Sequence, residues 1–264
     1  MNLRNAIILG LGSDIADQLA CRLMEDGWNI YGTYRTAVSP RLRSAIPSCH
    51  LLNIDISEYD SDRFIQWVES LPRWSLLVSA IGSQDPVGRF DEINLSQWVH
   101  GVSVNSLFQI AAVIECLKIR SDNASSVVFF AGGGTNGVTP NYSAQTLGKV
   151  TLIKAAELIN SEYEDVTCFI LGPGWVDTKI HASTLNSPEK SRDNYFKTLE
   201  MLSQKKCNPI EKVVDDILTL LQMPKHLVGG RNFSSVHDLI SCDNLQKKYE
   251  LNPDFYKLRR LMND

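Results

Sequence analysis

The sequence predicts an α/β protein, a single domain built on one doubly wound parallel sheet of about seven strands with helices on both faces. Three observations predict it. Short apolar runs alternate with longer stretches of helical periodicity, the pattern of buried parallel strands joined by crossover helices. The first apolar run, Ala6-Ile7-Ile8-Leu9, passes directly into Gly10-Leu11-Gly12-Ser13 and then into a helical stretch. The length, 264 residues with 44% hydrophobic content, is enough to bury one large core, and α/β chains of this size commonly remain one unit.

Taken in order, apolar runs place strands at 6–9, 29–34, 49–53, 76–80, 127–130, 166–170 and 228–233. Helical patterns fall between them at 14–26, 58–70, 94–120, 142–163 and 210–222. Within 94–120, Leu95, Trp98, Val99, Val102, Leu107, Ile110, Ala111, Ile114 and Leu117 recur at roughly helical spacing, as a core-facing helix requires. The segment 179–209 is polar and charged and closes at Pro209. A loop of that length exceeds the usual connection, and such excursions often cover a site, so a substrate lid is expected there. The stretch 241–264, with Lys247, Lys248, Lys257, Arg259 and Arg260, reads as a solvated C-terminal helical arm on the 1–240 unit.

A net charge of -4 and a pI near 5.8 speak against a phosphate-backbone binder, which needs a concentrated basic face. Nucleic acid is not an expected partner. The six cysteines, Cys21, Cys49, Cys116, Cys168, Cys207 and Cys242, are scattered, with no Cys-x-x-Cys pair and no clustering with histidine. Neither a disulfide framework nor a metal site is expected. The apolar run at 6–9 is too short for a signal-peptide core, and no apolar stretch approaches the roughly 20 residues that span a bilayer. The expectation is a cytoplasmic protein without a membrane partner.

Glycines at a strand-to-helix turn let backbone N–H groups approach a pyrophosphate, and the helix N-terminus adds a favourable dipole. Ordinary tight turns use glycine too. The stretch Gly10-Leu11-Gly12-Ser13-Asp14-Ile15-Ala16 resembles the glycine motif of the short-chain dehydrogenase/reductase family, Gly-x-x-x-Gly-x-Gly, with Gly10 in the first place and Asp14 and Ala16 in the second and third. Asp14 adds an anion near a pyrophosphate, so its side chain is expected to turn away and cap the helix. Asn53-Ile54-Asp55-Ile56 resembles the family's Asp-hydrophobic pair at the adenine ring. Ser79-Ala80-Ile81-Gly82 resembles its Asn-Asn-Ala-Gly motif with both asparagines lost. Asn105 matches an asparagine whose backbone carbonyl anchors a proton-relay water. Gly172-Pro173-Gly174-Trp175-Val176-Asp177-Thr178 matches Pro-Gly-x-Val-x-Thr, which holds the nicotinamide carboxamide and phosphate.

The resemblance covers about residues 5–236 and implies a Rossmann-type fold that binds a nicotinamide dinucleotide. The residues it implies for that cofactor are Gly10, Ser13, Asp14, Ile15, Arg35, Asp55, Ile56, Ala80, Gly82, Lys149, Pro173, Gly174, Val176 and Thr178. NAD sites tend to offer a carboxylate to the ribose 2′-hydroxyl at the end of the second strand, whereas a 2′-phosphate needs a cation. No acid occurs from Asn29 to Arg43, and Arg35 is placed to meet a phosphate. NADP(H) is therefore favoured over NAD(H).

In this family a Tyr hydroxyl exchanges a proton with the substrate oxygen, and a Lys four residues later lowers the Tyr pKa and holds the nicotinamide ribose. A nearby ammonium favours the phenolate, which is why the two must be close. Here the residue four before Lys149 is Gln145, and the nearest tyrosine, Tyr142, is seven before it. Seven residues return to the same helix face about 10 Å farther along the axis. Two registers compete. Counting back thirteen residues from Gln145 to the family's usual Ser position reaches Gly132, directly after the fifth strand; counting from Tyr142 reaches Phe129, inside it. On the first register Gly132 and Gln145 stand where proton-handling side chains usually do. On the second, Pro140-Asn141-Tyr142 followed by Lys149 resembles the divergent enoyl-thioester reductases, in which the Tyr steadies an enolate oxygen. Asn141 is then expected to cap the helix.

Tyr142, Lys149 and Asn105 are thus the expected catalytic residues. Thr135 is a candidate for the missing Ser hydroxyl, and His181 in the lid a candidate for reaching the substrate. The expected function is NADP(H)-dependent hydride transfer to a carbonyl or enoyl group of a small molecule. The alternative is a catalytically degenerate dinucleotide-binding protein with a sensing, scaffolding or non-redox role. The resemblance also implies a homodimer or homotetramer formed through 94–120 and 142–163.

Overall fold

Seven strands run in parallel in one sheet: β1 (Asn5–Leu9), β2 (Asn29–Tyr34), β3 (Leu51–Asn53), β4 (Leu76–Ser79), β5 (Ser125–Phe130), β6 (Val166–Gly172) and β7 (Asn232–Ser234). Their order in this computed structural model, which describes residues 4–57 and 61–260, is β3-β2-β1-β4-β5-β6-β7. The order reverses between β1 and β4, the switch point outside which open α/β sheets hold ligands.

Side chains alternate across each strand, and the two faces build two cores. Ala6 and Ile8 join one with Leu19 and Leu23 of α1 (Asp14–Glu25), Leu42 of α2 (Pro40–Ala45), and Val213 and Ile217 of α10 (Ile210–Leu221). Ile7 and Leu9 join the other with Phe64 and Trp67 of α3 (Ser61–Glu69), Val113 of α5 (Leu107–Leu117) and Leu152 of α6 (Ser143–Glu162). Burial on both faces is why these strands read as unbroken apolar runs.

Several boundaries differ from the sequence expectation. The 94–120 stretch is two helices, α4 (Leu95–Val104) and α5, broken at Asn105 and Ser106, where Ser106 leaves the helical backbone and the Asn105 side-chain amide joins Gly101 O of α4 to Ser83 O. The segment Leu95–Leu117 is long and apolar enough by composition to cross a membrane, more than the sequence reading allowed; the break and its packing on β4 and α6 account for that composition. The third strand starts at Leu51, after a 3-10 turn over Ser48–His50. The last strand is only Asn232–Ser234, preceded by α11 (Lys225–Val228). Of the expected 58–70 helix, residues 58–60 lie outside the described residues.

The 179–209 excursion is helical rather than loop: a 3-10 turn (Lys179–His181), α7 (Ala182–Leu185), α8 (Pro188–Ser191) and α9 (Asp193–Ser203). The C-terminal segment is not simply solvated. In α12 (Cys242–Leu251) Leu245 is fully buried, and Phe255 joins the same core. Arg231 ties the segment down: its guanidinium donates to Gly229 O at 2.9 Å and Pro253 O at 2.7 Å and lies 4.2 Å over the Phe255 ring. Beyond it, the β7 backbone donates from Asn232 N to Tyr256 O at 2.9 Å.

Candidate active site

The candidate residues lie at the C-terminal ends of β1 to β6 and on α6. Two helices cross tightly to bring them there. A side-chain carbon at Gly148 of α6 would lie 2.5 Å from Asn105 Cβ, so only glycine permits this approach of α6 to the end of α4. Asn105 is fully buried; its Nδ2 donates to Ser83 O and Gly101 O, both at 2.9 Å, and its Oδ1 accepts from Ser83 N at 3.2 Å. The side chain therefore pins the loop after β4, and its backbone sits at the helix break.

Lys149 follows Gly148 and runs inward. It is 3% exposed, and its Nζ donates to Ile81 O at 3.0 Å. Burial strips water from the ammonium and lowers its pKa to about 8. A carbon added at Gly82 would lie 3.5 Å from Lys149 Nζ and 3.6 Å from Asn105 Oδ1, so these three residues meet. A carbon added at Gly132 would lie 3.2 Å from Lys149 Cγ and 3.5 Å from Gln145 Nε2. Gly132, Gln145 and Lys149 thus form one cluster, as counting back from the fifth strand predicts. Thr135 does not point its hydroxyl into this cluster as a free donor; it donates to Gly132 O at 3.2 Å.

Tyr142 lies elsewhere. Its hydroxyl is 2.6 Å from Thr184 Oγ1, and Thr184 donates to Gln84 Oε1 at 2.7 Å, so Tyr142 is the donor in the first bond. Burial raises the phenol pKa. Tyr142 itself occupies the cap position of α6, with no side-chain cap; Asn141 stands before it at φ 71 and does not cap the helix as expected. The 182–203 segment is fastened along this side by Ser183 Oγ to Asp85 Oδ2 at 2.8 Å, Arg192 to Glu92 at 2.6 Å and Asn194 Nδ2 to Pro140 O at 3.0 Å.

At the glycine turn, Gly10 takes φ 83, and a side chain there would press on the Ala80 backbone. Ala80 N in turn donates to Leu9 O. Ser13, not Asp14, caps α1, accepting from Ala16 N at 3.2 Å. Asp14 instead accepts from Lys179 N at 3.2 Å, and Ile15 packs against the first core. Farther along the switch, Asp55 lies 3.9 Å from Arg35. Burial pushes the Asp55 carboxyl up, but bonds from Ser57 and the Arg35 charge outweigh it and hold the pKa below the usual value. Ile56 packs on the second core. Arg35 is 72% exposed, a cation open to solvent at the end of β2.

The fourth wall is the turn after β6. Gly174 takes φ 76, Pro173 O accepts from Asn208 Nδ2 at 2.9 Å, Val176 is buried, and Thr178 starts the 3-10 turn. His181 is buried and stacks on Trp175 at 5.2 Å, its Nε2 donating to Val176 O at 2.9 Å, so it shapes this turn. The residues fit a dinucleotide: a glycine turn leads straight into the N-terminus of α1, the buried Lys149 ammonium lies on the loop after β4, and the open Arg35 guanidinium follows β2. Sequence reasoning missed Gln84, Thr184 and Lys179. Lys179 adjoins the matched Thr178, a signal that was available; the other two are joined only in space.

A family model described as enoyl-(acyl carrier protein) reductase matches residues 10–233. Among solved structures, the chain is similar to a short-chain dehydrogenase/reductase from Saccharomyces cerevisiae, with 18% identity and TM-score 0.78 over 90% of this chain and 98% of that one. It is also similar to a ligand-free aldohexose dehydrogenase from Thermoplasma acidophilum, with 16% identity and TM-score 0.72 over 90% and 96%. A short-chain dehydrogenase from Shigella flexneri complexed with NADP gives 17% identity and TM-score 0.71 over 89% and 98%. No curated protein matches it. With a family match running from the glycine turn to the last strand, on a sheet shared with these enzymes over nearly their whole length, the chain belongs to the short-chain dehydrogenase/reductase superfamily.

Proposed function

We propose that this protein is an NADP(H)-dependent oxidoreductase that transfers hydride to a carbonyl or enoyl group of a small-molecule substrate. The observation that carries the reading is Lys149, buried with Nζ on Ile81 O beside Gly82 and Asn105. An ammonium has three donors; one is taken, and the others are free for ribose hydroxyls. The exposed Arg35 supports the 2′-phosphate form, as does the NADP complex of the Shigella flexneri relative. When bound, the cofactor supplies the hydride. The protein must then supply the proton.

In our reading the proton comes from Lys149, whose pKa of about 8 leaves it charged but labile near neutrality. Gln145 has no usable pKa and serves as a hydrogen-bond donor to the substrate oxygen. Tyr142 is a proton donor only if the 182–191 segment withdraws and frees its hydroxyl from Thr184. A second reading, dinucleotide binding without turnover, is favoured by Gly132 and Gln145 standing where the family has hydroxyls. The exposed Leu95, Val99, Leu107 and Ile114 of α4 and α5 support a homodimer or homotetramer, which light scattering checks.

The test is fluorescence titration with NADPH and NADH, followed by cofactor oxidation on carbonyl and enoyl panels. NADPH binds more tightly, Lys149→Ala loses turnover, and Tyr142→Phe retains it. Absence of any signal with either nucleotide overturns the proposal, and activity found only in Gln145→Tyr supports the second reading.

A further inference from the structure

Asp14 stands where the family motif has a glycine, at the N-terminus of α1. A dinucleotide pyrophosphate would seek the same backbone N–H groups and the same positive helix end. Two anions at one helix end repel, so an aspartate here needs a cation. The first turn of α1 carries Asp14 and Asp17, and Asp17 has its own partner in Arg41 at 3.0 Å. For Asp14 the fold supplies Lys179, 165 residues away, which donates its backbone N–H to Asp14 Oδ2 at 3.2 Å. The Lys179 ammonium also donates to Gly12 O, inside the glycine turn, and lies 4.0 Å from Asp14 Oδ1.

We propose that Lys179 is a cofactor-phosphate residue: seated on Gly12 and Asp14, its ammonium neutralises the carboxylate that replaces the motif glycine and presents positive charge to the dinucleotide pyrophosphate. The inference rests on the dinucleotide-binding reading above. A purely stabilising role does not account for the arrangement, since the Lys179 side chain is 67% exposed and ion pairs that open to water contribute little. Its place on the glycine-turn carbonyl does account for it: a hydrogen-bonded cation is held at the spot where anionic charge arrives. Lys179 also begins the lid, so the residue that meets the phosphate is the one from which 179–203 extends.

The test uses the full chain and fluorescence titration with NADPH at low ionic strength. Loss of one charged hydrogen bond weakens binding about tenfold in Lys179→Ala, and Lys179→Arg stays within about threefold of wild type. In the Lys179→Ala background, Asp14→Asn recovers affinity about threefold, because the uncompensated carboxylate is gone. Adenosine 2′-monophosphate, which lacks a pyrophosphate, competes equally well for wild type and Lys179→Ala. NADPH affinity falls less steeply with added KCl in Lys179→Ala than in wild type. Equal NADPH affinity in wild type and Lys179→Ala overturns the proposal, as does an equal loss of adenosine 2′-monophosphate or an Asp14→Asn change without effect. A wild type that binds neither NADPH nor NADH fells the dinucleotide reading itself, a result distinct from a wild type that binds and a variant that binds equally.

Discussion

Replacing Lys149 by methionine should stabilise the fold at neutral pH while removing cofactor binding. Burial lowers the Lys149 pKa from 10.5 to about 8, a gap of about 2.5 units. Each unit corresponds to about 1.4 kcal/mol, so the folded state carries a penalty of about 3 kcal/mol for holding this amine charged at any pH below 8. The unfolded amine keeps its proton up to about 10.5, whereas the folded one releases it near 8. Between those values the unfolded chain binds more protons, and this residue's contribution to stability rises with pH. Methionine titrates nowhere. The stability advantage of Lys149→Met over wild type is therefore larger at pH 7 than at pH 10.5 by about 3 kcal/mol. Loss of the bond to Ile81 O costs about 1 to 2 kcal/mol and enters at both ends of the range, so it largely cancels. Urea unfolding of both proteins without nucleotide, at half-unit steps from pH 7 to 10.5 and constant ionic strength, measures the difference. A difference flat across that range would refute the burial argument.

Tyr142→Phe removes a buried bond to Thr184 and lowers unfolding free energy by about 1 to 2 kcal/mol, read by urea titration. Arg35→Ala raises the NADPH Kd about tenfold and leaves the NADH Kd unchanged, because only the 2′-phosphate form meets that charge; fluorescence titration with both nucleotides checks it. Gly148→Ala drives a carbon to within 2.5 Å of Asn105 Cβ and destabilises by about 2 to 3 kcal/mol through overpacking, seen as a lowered Tm.

The strands at the centre of the sheet were legible because burial on both faces leaves them nothing but apolar residues. The Lys149 cluster was legible too: Gly132 lies next to β5, and a fixed count from there reaches Gln145. The break at Asn105 was not, since the apolar stripe of α4 continues into α5 while the Asn105 side chain's distant partner, Ser83, lies in the loop after β4. Nor did 179–203 read as helix. Tyr195, Leu199 and Leu202 of α9 do recur at helical spacing, but the polar and charged residues around them hid the pattern, and in the fold only Thr198 of that helix is buried. The destination of the Tyr142 hydroxyl depends on Thr184 and Gln84, which no local spacing connects. Lys-rich composition likewise concealed Leu245 and Phe255, the two residues that seat the C-terminal segment.

That segment has a consequence for how the protein behaves in a crowded solution. A bare outer strand offers a row of unpaired backbone groups to any other extended chain, and it is a common starting point for aggregation and strand exchange. Here β7 is only three residues long, and Asn232 N is already taken by Tyr256 O. The chain uses its own residues 252–256 as a stopper on one open side of the sheet, held in place by Arg231 rather than by further strand pairing. Removing residues after 252 would thus trade a stable boundary for an adhesive one.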